Sequence, residues 1–237
     1  MAREPKEEDA PGAERVLKMK VLNTEKEDYH VHSLNFSDGM CTIDEIVRYA
    51  GKIGMKKMVF TDHSQAGVEA LGLARKSVWL IAKRWKNIHN DVEVIFGVEA
   101  DILNEKGDVC AHIQGVQGDF IILSFHPDVY SGDRKKVTDA YINAINRHHK
   151  MISCIGHLDV NCGGVDVVKV VEAANKHKIP LELNCKCLIL GMGDKHALKM
   201  ILSKAERVYV NSDAHMLSDL KDFRKLGFKF LKENGFL

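Results

Sequence analysis

A single-domain α/β fold, a distorted (βα)7 barrel of TIM-like architecture, is predicted by three observations on this 237-residue chain. Strand-like and helix-like segments alternate, which implies parallel strands joined by crossover helices. The strands read as nearly continuous apolar runs, as strands covered on both faces do. The histidines and carboxylates fall where those runs end, at the edge where a barrel gathers residues distant in sequence.

The elements follow in order. Asp28–His32 is the first strand. Thr42 caps a helix through Gly51, with Glu45 completing a capping box and Ile43, Ile46, Val47 and Ala50 in one stripe. Lys57–Thr61 is the second strand, and Val68–Asn90, with Trp79 and Trp85, reads as a long amphipathic helical region. Val92–Ala100 and Phe120–Ser124 are the third and fourth strands; the Asp101–Asp119 connection between them is weakly helical and reads as a hairpin or loop. A helix over Val137–Asn146 precedes the fifth strand, Met151–Gly156, and a helix over Val165–His177 precedes the sixth, Pro180–Asn184. Lys195–Lys204 is helical, Arg207–Asn211 is the seventh strand, and a last helix lies near Ser218–Leu226.

Composition narrows the classes. Hydrophobic residues make up 45% and charged residues 28%, with a formal net charge of +1, so no global basic field recruits nucleic acid or an anionic membrane. No apolar run approaches the roughly 20 residues that span a bilayer. Residues 1–25 read as a flexible charged extension without a signal-peptide core, and 26–237 as the barrel; a cytoplasmic location is expected. The six cysteines (41, 110, 154, 162, 185 and 187) lack CxxC spacing and read as reduced thiols, with Cys185-x-Cys187 a weak metal alternative.

The chemistry lies at the strand ends. His30-x-His32 puts two rings on one side of a strand, and Asp38 follows in a Ser-Asp-Gly turn. Asp62–His63 closes the second strand, with His63 a ligand and Asp62 placed to orient one or pass a proton. Glu99 ends a buried strand, where a carboxylate needs a compensating charge and can bridge two ions; Asp101 reads as a polar neighbour. His126, His157 and the pair Asp213-x-His215 complete nine donors: six histidines, two aspartates and one glutamate. At four to six ligands per ion these suit two or three divalent metals, with zinc, manganese or iron matching imidazole and carboxylate. Histidines 89, 112, 148, 149, 177 and 196 read as solvent-exposed, and Asp133–Lys136 and Lys221–Lys225 as solvated faces. Lys186, just past the sixth strand, is a candidate phosphate contact. No Walker, dinucleotide or GxSxG fingerprint is present.

In this order the motifs YHVHSLNFSDG, FTDHS, GVEADI, SFHP, IGHLD and NSDAH resemble the polymerase-and-histidinol-phosphatase (PHP) family across residues 28–218. IGHLD departs from the family, where a proline often follows the histidine. The resemblance implies a trinuclear centre: His30, His32, Glu99 and Asp213 on one metal, Glu99, His126 and His157 on a second, Asp38, His63 and His215 on a third. It further implies hydrolysis of a phosphoester, preferably a small phosphomonoester, by a metal-bridged hydroxide, with Glu99, Asp213, His215 or Asp62 in catalytic roles. A phosphodiesterase or 3′–5′ exonuclease is the alternative, although no interleaved basic and aromatic run supports a strand-tracking groove. An amidohydrolase or TatD-type nuclease fits less well, because Asp38, His63 and His215 favour a third metal position. A catalytically silent metal-stabilised scaffold would have lost ligands, and every motif here is filled. Oligomeric state is left open by the sequence.

Overall fold

The computed structural model describes residues 19–74, 76–160 and 163–237. Its centre is a curled sheet of nine strands, eight of them on one parallel path. The strands are β1 (Lys20–Val21), β2 (Glu27–Val31), β3 (Lys57–His63), β4 (Glu93–Ile102), β5 (Val109–Cys110), β6 (His112–Ile113), β7 (Val116–Gln117), β8 (Ile121–Ser124), β9 (Cys154–Ile155), β10 (Leu181–Asn184) and β11 (Arg207–Asn211). The order is β1-β11-β10-β9-β8-β4-β3-β2, with β5 antiparallel on β4 and β6-β7 a separate hairpin. The two ends of the sheet meet where Val31 bridges Ala214. There the His32 amide donates to the Ala214 carbonyl at 2.9 Å.

Seven helices cover the sheet: α1 (Ile43–Lys52), α2 (Gln65–Ala70), α3 (Val137–His148), α4 (Val167–Lys176), α5 (Cys185–Leu190), α6 (Lys195–Lys204) and α7 (Leu217–Glu233). The predicted capping box forms at Thr42 and Glu45, and Ile43, Ile46, Val47 and Ala50 are buried together. Apolar side chains pack outside the sheet in two bodies, one under α3, α4, α6 and α7 and one around α1, β3, β4 and Trp79. Inside, Tyr29, Phe120 and Tyr209 meet at the strand starts with ring centroids 4.6 to 5.9 Å apart, so the opposite end of the barrel is free for polar chemistry. Among the described residues no helix is long and apolar enough to cross a membrane.

Several expectations are corrected. The helix expected over Val68–Asn90 is α2 alone, followed by a turn and a 3-10 segment at Trp79–Arg84. Gly72 takes φ +64°, which stops helix propagation. Trp79 is held instead by its amide donating to Gln114 Oε1 at 2.9 Å and by edge contacts with Phe36 and Phe96. The 101–119 connection, by contrast, is the β-hairpin, one of its two expected forms, turned at Gln114 and Gly115 with φ of +52° and +77°, the pattern of a two-residue hairpin turn. The extension expected to residue 25 is shorter, because β1 pairs with β11; residues 1–18 lie outside the described residues. Within Lys221–Lys225, Arg224 is buried rather than solvated. Of the histidines expected in solvent, His89, His148, His149 and His177 are half-buried; His89 contacts Asp44 at 3.0 Å, and His149 stacks on His177. Cys41, Cys110, Cys154, Cys185 and Cys187 are free thiols; Cys162 lies outside the described residues.

Candidate metal centre

Register builds half of the site. His63 pairs with Glu99 across β3 and β4, and Glu99 with Ile122 on β8, so their side chains share the inner face. The strand β2 needs an irregularity. Its register against β3 shifts between Asp28 and Val31, and the consecutive residues Tyr29 and His30 both reach inward. Tyr29 stacks on Tyr209, while His30 Nδ1 lies 2.8 Å from Glu182 Oε1, and Tyr209 and Glu182 are themselves partners in register. A bulge of this kind re-aims a side chain. Asp213 at φ +53° and His157 at φ +21° leave their strands in left-handed backbone, a conformation that Asp and His tolerate and that gathers at functional sites.

The donors form three groups whose ligand atoms lie within 4.8 Å of one another: His32, Asp38, His63 and His215; His30, His32 and Asp213; and His63, Glu99 and His126. His30 Nε2 and His32 Nε2 face each other at 3.1 Å. Asp38 Oδ1 lies 3.6 Å from His63 Nε2 and 3.4 Å from His215 Nε2. Glu99 turns Oε1 to His157 Nε2 at 2.7 Å and His126 Nε2 at 3.5 Å, and Oε2 to His63 Nδ1 at 3.0 Å. All nine predicted donors therefore converge, with His157 joined through Glu99 rather than through a group of its own. Eight of them, all but the fully buried His30, line a cavity of about 270 Å³.

The outer nitrogens are fixed. His30 Nδ1 donates to Glu182, His126 Nδ1 to Asp101 Oδ1 at 2.6 Å, and His215 Nδ1 to the Asp213 carbonyl at 3.0 Å. Each contact leaves the Nε2 lone pair turned inward, the arrangement of imidazoles that hold a cation. Asp213 Oδ1 is buried without a hydrogen bond to any described residue, yet it faces His30 Nε2 and His32 Nε2 at 3.8 and 3.4 Å. A carboxylate oxygen aimed at lone pairs is satisfied by a cation between them, so the donor set fits divalent metals.

Protons fill that role imperfectly. Burial disfavours charge on His30, but Glu182, Asp213 and Glu99 outweigh it and raise its pKa well above the usual value. His63 is raised in the same way against its own burial, by Glu99 and Asp38, and His157 by Glu99. His32 goes the other way: burial and the neighbouring His215 and His63 bring it to about 3, despite Asp213. Burial would raise Glu99, but His126, His30 and His63 hold it well below the carboxylate range. Without metal, His30, His63 and His157 thus favour the protonated form beside these carboxylates, while His32 stays neutral.

Residues to which the sequence assigns no metal-ligand role support this floor. Glu182 is buried and receives hydrogen bonds from His30 Nδ1, Asn211 Nδ2 at 2.8 Å, the His157 amide at 3.0 Å and Asn184 Nδ2 at 3.1 Å. Asn184 also donates to Asp213 Oδ2 at 3.0 Å. Lys186, in the first turn of α5, reaches the same oxygen at 2.7 Å and lines the cavity. Asp28 accepts from the Ser212 amide and hydroxyl and pairs with Arg224 of α7. The strand-end position of Glu182, two residues before Asn184, was the available signal. Asp62 stands apart from the cavity lining: it accepts from the Ser33 amide at 2.6 Å and hydroxyl at 2.8 Å, and burial pushes its pKa up to about 7.

Known proteins share this design. A probable phosphatase of Thermoanaerobacter sp. (strain X514) is 29% identical over 217 residues, covering 88% of this chain and 86% of the relative. The DNA polymerase/3′–5′ exonuclease PolX of Bacillus subtilis is 29% identical over 210 residues, which cover 84% of this chain but 36% of PolX. A crystal structure of histidinol phosphate phosphatase from Lactococcus lactis subsp. lactis, complexed with zinc, L-histidinol and phosphate, has the same fold at TM-score 0.55 and 15% identity, covering 89% of this chain and 94% of that one. The PHP domain itself matches residues 28–211, nearly the whole barrel, and on that match the chain belongs to the PHP family.

Proposed function

We propose that the chain is a metal-dependent phosphatase of small phosphomonoesters, holding two or three divalent ions on His30, His32, Asp38, His63, Glu99, His126, His157, Asp213 and His215. One observation carries this reading: three imidazole–carboxylate groups, linked through His32 and His63, share the floor of one cavity. The relatives named as phosphatases and the zinc and phosphate of the lactococcal enzyme agree with it. The bound ions supply Lewis acidity, which lowers the pKa of water and offsets charge on phosphoryl oxygens.

The side chains do the rest. Glu99, with one oxygen toward His126 and His157 and the other toward His63, spans two ion positions. Lys186 lies at the cavity wall as a point charge for a phosphoryl oxygen while keeping Asp213 ionised. Asp213 and His215, 3.4 Å apart, are the pair that holds or passes the proton needed by the leaving oxygen. Asp62 takes no part in that transfer.

The identity to PolX favours a second reading, a phosphodiesterase or 3′–5′ exonuclease. Against it, Lys186 is the one lysine or arginine among the described residues that line the cavity, whereas a strand-tracking groove needs several cations and aromatic platforms. Protein loaded separately with zinc, manganese or iron should release p-nitrophenol from p-nitrophenyl phosphate faster than from the bis ester, and chelation should abolish both. Turnover of the bis ester and of a labelled oligonucleotide alone would favour the second reading.

A further inference from the structure

The cavity is chemically two-sided. Its floor is the donor cluster, and Lys186 is the one lysine or arginine among the described residues that line it. To these, the end of α2 and the turn after His126 add Ala70, Leu71, Pro127 and Val129 as apolar lining. Leu71 is 48% exposed, although burial elsewhere in the molecule would shelter a leucine. Met40 donates its amide to the His215 carbonyl at 2.8 Å, and Met216 follows His215; both side chains are exposed. Asp128 is the charged residue on this side, and its carboxylate opposes a second anionic group on a substrate.

Volume limits what fits. About 270 Å³ corresponds to roughly nine waters at about 30 Å³ each, enough for a phosphoryl group and a compact body of about one ring. A sugar or nucleotide would set hydroxyls or further charges against Leu71, Pro127 and Val129, whose side chains offer them no hydrogen bonds, and desolvating such groups without partners is costly.

Resting on the phosphatase reading, we infer that the preferred substrates are monoesters whose leaving group is an uncharged, apolar body, seated against Leu71, Pro127 and Val129 while Lys186 and the metal floor take the phosphate. Binding of the leaving group is thus separate from binding of the phosphate, and the two can be varied independently.

The test compares 2-phenylethyl phosphate with glycerol 1-phosphate, both esters of primary alcohols, so intrinsic reactivity differs little. With metal-loaded protein, kcat/KM for the phenylethyl ester should be higher by about tenfold or more, mainly through KM. Leu71→Ser, at a half-exposed position, should narrow that ratio by about fivefold, and Val129→Ser should narrow it too. An equilibrium readout accompanies them: 2-phenylethylphosphonate should raise Tm more than methylphosphonate does. A ratio near one, a ratio untouched by both variants, or equal protection by the two phosphonates overturns the inference and leaves the phosphatase reading standing. Absence of phosphate release from these esters and from p-nitrophenyl phosphate alike would overturn the phosphatase reading itself.

Discussion

At the scale of single residues, charge placement decides more than proximity. Glu182 touches no solvent and lines no cavity, yet it fixes the His30 ring and the His157 backbone together. Glu182→Gln keeps the shape but removes the charge that holds the Nδ1 proton of His30. We expect metal affinity to drop by about 10- to 100-fold with circular dichroism unchanged, measured by competition with a chromophoric chelator. Glu99→Gln should cost more activity than Asp62→Asn, since Glu99 faces His126, His157 and His63 with its two oxygens and Asp62 only braces Ser33. Asp62 also gives a signed pH test. Its folded pKa of about 7 lies above that of an unfolded aspartate, about 4, so the unfolded chain gives up its proton first. Stability therefore falls as pH rises from about 4 to about 7, and Asp62→Asn should flatten that part of the melting profile. The nine donors were legible in the sequence because histidines and acids at strand ends stand out against apolar runs. Glu182 and Asp28 were not, because a carboxylate within a strand reads the same whether it faces solvent or a buried network.

Among the elements, α7 shows how a helix on the outside governs the inside. Arg224 enters from α7 to meet Asp28 at the foot of β2, and Asp28 in turn holds Ser212, the residue before Asp213. Removing one partner of a buried pair leaves the other charge uncompensated, so Arg224→Met should cost about 3–5 kcal/mol in denaturant unfolding. The double change with Asp28→Asn should recover part of it, which would not occur were α7 merely packed on the sheet. A sequence reading placed Arg224 on a solvated face because lysines flank it on the same helix. Strand order and helix periodicity were legible from patterns of period 2 and 3.6, which are local. The break after α2 was not, because it depends on Trp79 finding Phe36 and Phe96, contacts that no local window contains.

For the whole molecule, metal and proton compete for one set of sites. In the metal-free protein the pKa values of His30, His63 and His157 are raised, so the stability they lend is complete below about pH 6.5 and is lost as pH rises through the folded values. Glu99, Asp213 and Glu182 are depressed, so their share is present above about pH 4 and lost as pH falls through the folded values. Metal reverses the alkaline trend, because binding needs neutral imidazoles. Melting curves with and without chelator should thus converge toward pH 5 and separate progressively toward pH 8; a constant gap would show that these histidines are not the sites of metal loading.

The meeting of Val31 with Ala214 carries a last consequence. That single bridge is the seam of the barrel, with His30 and His32 stitched to one lip and Asp213 to the other. An ion shared by these three acts as a rivet. Chelation should let the seam breathe before any other part of the sheet loosens, so the amide hydrogen of His32 should exchange with deuterium early while those of β4 stay protected.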